Sequence, residues 1–257
     1  MRNKTNVYNI LLYSLIVFAL SGLLLLLHFV FETSGKYWVV FPQFAPTLTV
    51  IFLLVARKRY GVVFDVKHRL RINKKVLAYS ICAALFVFVV FGGFGFVLSV
   101  FGKPLSQWGV PFLKWNTPSL AIGFICVLVG CIGEEIGWRG FLLPAFNRSF
   151  PLIIASLFTG ALWGAWHLDF GDGVFGFFVT ILFSISLSII ISWFQVKSNG
   201  SIVTAIVLHF FVNFFARSTL FDMSLFAHFT LSLLLGVCGV ILFFADRKTF
   251  MLNESSL

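Results

Sequence analysis

Charge is what this sequence has least of. Only 11% of its 257 residues are Asp, Glu, Lys or Arg, against roughly a quarter in an ordinary soluble domain. Sixty per cent are hydrophobic and 18% aromatic, and the mean hydropathy is +1.01. A soluble globular fold is excluded, and the chain reads as a polytopic membrane protein. A low-complexity tract and a convincing internal repeat are also missing. The longest polar stretch is the 57–75 loop, followed by Gly102–Pro118. The four cysteines, Cys82, Cys126, Cys131 and Cys238, sit in apolar runs without metal-type spacing, so they read as small hydrophobes. The first apolar run lacks a small-residue cleavage site after it, which makes it a retained helix rather than a signal peptide.

What is present is a series of apolar runs. They fall near 8–31, 38–56, 76–101, 118–143, 151–168, 174–195, 202–216 and 225–245. Crossing a hydrocarbon core of about 30 Å takes roughly 20 helical residues. The expectation is therefore an all-α, single transmembrane domain over 1–257 with about eight helices, the 202–216 run being the shortest. Positive loops stay cytoplasmic, and placing both termini inside puts fourteen Lys and Arg on the inner side against four outside (Lys36, Lys103, Lys114 and Arg217). Residues 57–75, with eight basic residues, form a basic cytoplasmic loop. The net charge of +10 then marks loops facing anionic lipid in a multi-pass cell-membrane protein, with no nucleic-acid partner implied.

Against that background the stretch GCIGEEIGWRGFLL (130–143) stands out, because it places two carboxylates and a guanidinium in an apolar span. An ionisable group at the bilayer centre costs at least about 2.5–3.5 kcal/mol, so such groups face a protein interior or a wet cavity and are functional candidates. Glu135 and Arg139 are four apart, acid first, which favours an ion pair on one helix face; the pair reads as a structural lock. Glu134 points about 100° away and has no local partner, which leaves it for chemistry. WGAWH (163–167) stacks Trp163 one turn before His167, and HFFVN (209–213) puts His209 and Asn213 on one face. Gly133/Gly137 and Gly160/Gly164 are small-residue pairs that let membrane helices approach closely. Counting from a turn at Pro151, antiparallel packing brings Glu134 and His167 level. His28 and His228 read as interhelical hydrogen-bonding residues, and Asp169 and Asp172 as a solvated loop. Glu134, His167, His209 and Asn213, on the fourth, fifth and seventh helices, supply what hydrolysis requires: a base for water, a second proton-handling group and neutral donors for an oxyanion.

In this order and spacing, EEIGWR (134–139), WGAWH and HFFVN resemble the CPBP intramembrane proteases, a family that includes the type II CAAX prenyl endopeptidases and bacterial bacteriocin-immunity or Abi-type proteins. The resemblance covers 118–216, and Trp163 stands where the family usually has Phe. It implies an intramembrane endopeptidase in which Glu134 activates water with the help of His167. His209 and Asn213 would stabilise the oxyanion, and Glu135, Arg139 and Trp163 would support the site. The substrate would be a membrane-embedded or lipid-anchored peptide or protein, prenylated or of bacteriocin or leader type. Two histidines and a carboxylate can also bind zinc, so Glu134, His167 and His209 are candidate Zn2+ ligands; the contiguous HExxH arrangement is absent. The alternatives are a non-catalytic immunity or partner-binding membrane protein and a proton-coupled transporter with a Glu/His relay. A transporter would carry broken helices in inverted repeats, and none is visible.

Overall fold

The computed structural model describes residues 2–30, 42–56, 65–102, 117–217 and 224–253. All eight apolar runs that fall on these residues are helical. They form α1 (Arg2–Val30), α2 (Ala45–Val55), α3 (Lys74–Val100), α4 (Thr117–Gly137), α5 (Leu152–Trp166), α6 (Gly173–Lys197), α7 (Ile202–Arg217) and α8 (Leu225–Ala245). Four of them, α1, α3, α6 and α8, carry spans long and apolar enough to cross a membrane by themselves, whereas α2, α5 and α7 are apolar but shorter. At 1.5 Å per residue the 16 residues of α7 reach about 24 Å, short of the hydrocarbon thickness. Residues 57–64 of the basic loop, Lys36, Lys103, Lys114 and the side chains of His28 and Arg217 lie outside the described residues.

The burial pattern is that of a protein turned toward lipid. Val55 is 82% exposed and Val89 74%, while Glu135 and Arg139 are both at 0%. Apolar surface of this kind on long helices is stable only in hydrocarbon, and the ionisable groups have retreated to the interior. Small residues make the inner seams. At Gly160 and Gly164 of α5 a Cβ would come within 2.6 Å of Cα atoms of Ile185 and Ile181, so the α5 and α6 backbones pack in direct contact. On α4, Gly130 and Gly133 leave room for Gln43, in a short 3-10 turn (Pro42–Phe44) ahead of α2. The glycine pairs thus act at helix contacts as expected. Around them α6 packs on α5 and α8, α7 on α3 and α4, and α2 on α1 and α4.

One departure from the expected run at 118–143 shapes the site. Regular α-helix stops at Gly137, a π turn covers Trp138–Leu142, and a short α segment follows at Leu143–Asn147. Pro144 is the cause. It has no N–H, and its ring would meet the carbonyl one turn back, so the preceding turn widens and the Leu143 N–H bonds the carbonyl of Trp138. Such π turns cluster at functional positions. The Arg139 carbonyl, deprived of a partner on its own helix, accepts instead from Gln195 Nε2 of α6 at 3.1 Å.

The described basic residues of the loops collect at one end of the bundle. Lys67, Arg69, Arg71, Lys74 and Lys75 precede or open α3, Arg148 lies in the α4–α5 hairpin, and Lys197 closes α6. Tyr13 of α1 packs on Trp138 and Phe141 near that hairpin, and Ser21 packs farther away on Trp166. The N-terminal end of α1 therefore lies at the basic end, as does the end of α8, whose Asp246 bonds Lys197.

Candidate active site

The π turn and the Gly133 seam bring α4 close to three partners, and each glutamate meets a different set. Glu134 is 1% exposed. Its Oε1 accepts from Gln43 Nε2 at 3.0 Å, and its Oε2 accepts from the indole Nε1 of Trp163 at 2.8 Å. Its partners are thus neutral donors from other helices, which corrects the expectation that it stands unpaired: the α4 helix offers it no partner, but the tertiary fold offers two. Gln43 was missing from the sequence reading. The usable signal was a lone amide in FPQFAPT, opposite a glycine row that starts at Gly130, one turn before Gly133.

Glu135 lies in a charged network. Its Oε1 accepts from Arg139 Nη1 at 2.8 Å and faces His209 Nδ1 at 2.8 Å. The expected lock with Arg139 is present, and it extends to α7. Arg139 is fully buried, and its Nε and Nη2 have no hydrogen-bond partner among the described residues. Its guanidinium carbon instead lies 4.1 Å from the centroid of the Trp163 ring, a cation–π arrangement. With Nδ1–H directed at Glu135, His209 presents Nε2 to Asn213, whose Nδ2 is 2.9 Å away and also 3.5 Å from Cys131 Sγ. His209 therefore spends both ring nitrogens on protein groups.

Trp163 is the hub that joins these groups. Its indole N–H bonds Glu134, its face carries Arg139, and its edge meets the His209 ring at 5.1 Å. Its carbonyl accepts from His167 Nδ1 at 2.8 Å. His167 caps the end of α5, is exposed, and also packs edge-on against Trp166 at 5.1 Å. With Nδ1–H fixed on that carbonyl, Nε2 is its acceptor nitrogen. Glu134 thus bonds the residue one helical turn before His167. Asp169 and Asp172 are exposed around the start of α6, as a solvated loop would be, and His228 meets a neighbouring helix through an edge contact with Phe183 at 5.2 Å.

Among the described residues no group of three His, Cys, Asp or Glu side chains is arranged to hold a metal. Both Glu134 oxygens face N–H donors and both His209 nitrogens are engaged. As arranged, the Glu134, His167 and His209 set does not fit zinc.

Residues 115–215 match the family described as Rce1-like, type II CAAX prenyl endopeptidase. A curated CAAX prenyl protease 2 from Methanococcus maripaludis is 30% identical over 102 residues, which is 34% of this chain and 36% of that protein. The match thus spans about a third of the curated relative's length. All seven motif residues fall inside the 115–215 window, whereas Gln43 and Tyr13 come from outside it. The sequence motifs, the helical fold and the two matches agree, and the 115–215 core of this chain is similar to the type II CAAX prenyl endopeptidases.

Proposed function

We propose that the chain is an intramembrane endopeptidase that cleaves peptide bonds of membrane-associated substrates with water activated by Glu134. The observation that carries the reading is the bridge through Trp163: one residue bonds the Glu134 carboxylate through its side chain and His167 through its backbone. Each Glu134 oxygen keeps a lone pair beyond the donor it accepts from. In the proposed step Glu134 takes one proton from water, the water oxygen attacks the scissile carbonyl carbon, and Glu134 returns the proton to the leaving amine. His167, with Nε2 as acceptor, orients that water. The Asn213 Nδ2–H that rests 3.5 Å from Cys131 Sγ turns to the developing oxyanion, while the other stays on His209, which Glu135 holds from behind. No step is routed through zinc.

The family match supports a lipid-anchored protein tail of prenylated type as the substrate; a leader-type peptide shares the same chemistry. The basic end of the bundle would face the cytoplasm by the positive-inside rule, with both termini there. The test is reconstitution of wild type and Glu134→Gln with a peptide mixture containing prenylated and unprenylated members, reading new termini by mass spectrometry. Cleavage by wild type alone is expected; cleavage by neither would leave the non-catalytic, partner-binding reading. Metal dependence is tested on the same preparation. Activity should persist after dialysis against a strong chelator, with elemental analysis as the check; loss restored by stoichiometric zinc would overturn the direct-water reading.

A further inference from the structure

The basic end of the bundle holds a cavity of about 530 Å3 that the hydrolytic reading does not use. Its lining includes His68, Arg69 and Arg71 from the segment ahead of α3, Asn147 from the α4–α5 hairpin, and Gln195 and Asn199 from the end of α6; no Asp or Glu is among the lining residues. The cations are held by structure rather than spread over a mobile surface. Arg71 Nη2 donates to the Asn199 carbonyl, and Lys75 Nζ bonds Asn199 Oδ1 at 2.9 Å. The Arg69 and Arg71 carbonyls in turn take the Ser201 hydroxyl.

Two polar atoms of the lining residues have no hydrogen-bond partner among the described residues. Arg71 Nε is a buried donor without an acceptor, and Gln195 Oε1 is a buried acceptor without a donor, on a residue only 2% exposed. The amide orientation of Gln195 is not in question, since its Nε2 donates to the carbonyls of Arg139 and Gly200. An anion alone satisfies the arginine and repels the amide oxygen. A group that satisfies both carries negative charge and an O–H or N–H donor on one scaffold. A phosphodiester bearing a hydroxyl or amine has that composition. Leu70 and Ile72, on either side of Arg71, are 41% and 75% exposed, which places apolar surface beside the cations. A soluble phosphate ester gains nothing from that surface, whereas acyl chains do. We propose that this cavity binds the headgroup of an anionic phospholipid with hydroxyl or amine donors, phosphate on the arginines and donor on Gln195, as basic pockets between membrane helices do in general.

The full chain would be placed in lipid nanodiscs of phosphatidylcholine with or without phosphatidylglycerol. Two readouts apply: lipid retained in native mass spectrometry, and melting temperature. One phosphatidylglycerol retained per chain and a higher melting temperature are expected. Arg69→Gln and Arg71→Gln should each weaken retention about fivefold, the effect of one basic contact to an anionic surface, while Lys248→Gln should leave it unchanged. Gln195→Met, should it fold, should lose the preference for phosphatidylglycerol over phosphatidic acid, because it removes the acceptor and keeps the cations. A melting shift with glycerol 3-phosphate in pure phosphatidylcholine discs, equal to that with the lipid, would move the site to a soluble ester and overturn the proposal. Equal retention of both lipids by wild type, or wild-type retention by both arginine variants, would overturn it as well.

Discussion

Glu134 and Glu135 are neighbours in sequence, equally buried, and held in opposite ways. Glu134 is bound by an amide and an indole from two other elements, with no cation bonded to either oxygen among the described residues. Glu135 shares one oxygen between a guanidinium and an imidazole, and its other oxygen has no hydrogen-bond partner among the described residues. A carboxylate held by neutral donors keeps its orientation and remains able to take a proton. A carboxylate in an ion pair loses that freedom, because protonation would strand the cation. A rotation of about 100° around α4 thus separates a carboxylate held by neutral donors from one held in an ion pair, and the four-residue spacing places Arg139 on the second side.

Activity should separate them most. Glu134→Gln keeps size and the indole contact but removes the base, and loss of a positioned base costs about 10²–10⁴-fold. Turnover should fall by about 10²–10⁴-fold with the melting temperature unchanged or higher, since a buried charge is gone. Single-turnover cleavage alongside thermal unfolding in detergent is the check. Wild-type turnover by this variant would sink the assignment of the base.

Stability should separate them in reverse. Glu135→Gln leaves Arg139 buried without its counter-ion, and breaking one side of a buried pair costs about 3–5 kcal/mol. A companion Arg139→Gln should recover part of that loss and recover nothing for Glu134→Gln, because only the first pair is coupled. Equal destabilisation by the two glutamate variants, with no coupling to Arg139, would show that their environments were misassigned.

A smaller effect tests the bridge. Trp163→Phe restores the residue usual in the family, retains ring packing and deletes only the N–H to Glu134. A hydrogen bond to a charged group is worth about 1.5–3 kcal/mol, so kcat should fall about 10–10²-fold with KM nearly constant. The Arg139 stack remains, since a phenyl face also carries a cation. A variant with wild-type kcat would mean that Gln43 alone positions the carboxylate.

The sequence made some of this legible and hid the rest for physical reasons. Helix positions followed from apolar runs, because lipid enforces that pattern over every span. The Glu135–Arg139 pair was visible because it is local, four residues apart on one helix. The partners of Glu134 were not visible, since Gln43 lies 91 residues away and Trp163 lies 29 away, and only the fold brings them together. Trp163 reads from sequence as a ring stacked one turn before His167, and its N–H bond to Glu134 crosses between helices. The double engagement of His209 escaped for the same reason: its spacing to Asn213 is local, but its bond to Glu135 crosses between helices. The π turn was foreshadowed by Pro144 inside the 118–143 run's continuation, yet which carbonyl it would free depends on Gln195 in a different helix.

The mildest prediction carries the comparison to a third carboxylate, one outside the bilayer end of the helices. Asp246 follows α8, accepts from Trp193 Nε1 at 3.0 Å, Lys197 Nζ at 3.1 Å and Thr249 Oγ1 at 2.8 Å, and caps the Arg247–Phe250 turn. Burial works to raise its pKa, but hydrogen bonds from Thr249, Lys197 and Trp193 and the Lys197 charge outweigh it, and the group is held below the ordinary Asp value. A carboxyl that titrates lower when folded binds fewer protons than in the unfolded chain throughout the acid window. Its stabilising effect is therefore present above the unfolded value, near 3.8, and is lost as pH falls through the folded one. The ion pair is partly wet, with side chains 33% and 24% exposed, so it contributes little, and the cap contributes more. Asp246→Asn should lower stability at neutral pH by about 1 kcal/mol, the usual size of a lost cap with a weak surface pair. The difference from wild type should shrink on acidification below the unfolded value. Half-molar salt should reduce the Lys197 part of it while leaving the Glu135→Gln penalty intact, because screening reaches only charges that solvent can reach. Melting curves for both variants across pH and salt decide the point. If the two penalties respond to salt alike, the Glu135 network is wetter than its burial indicates, and the contrast between a reactive and a locked glutamate loses its electrostatic basis.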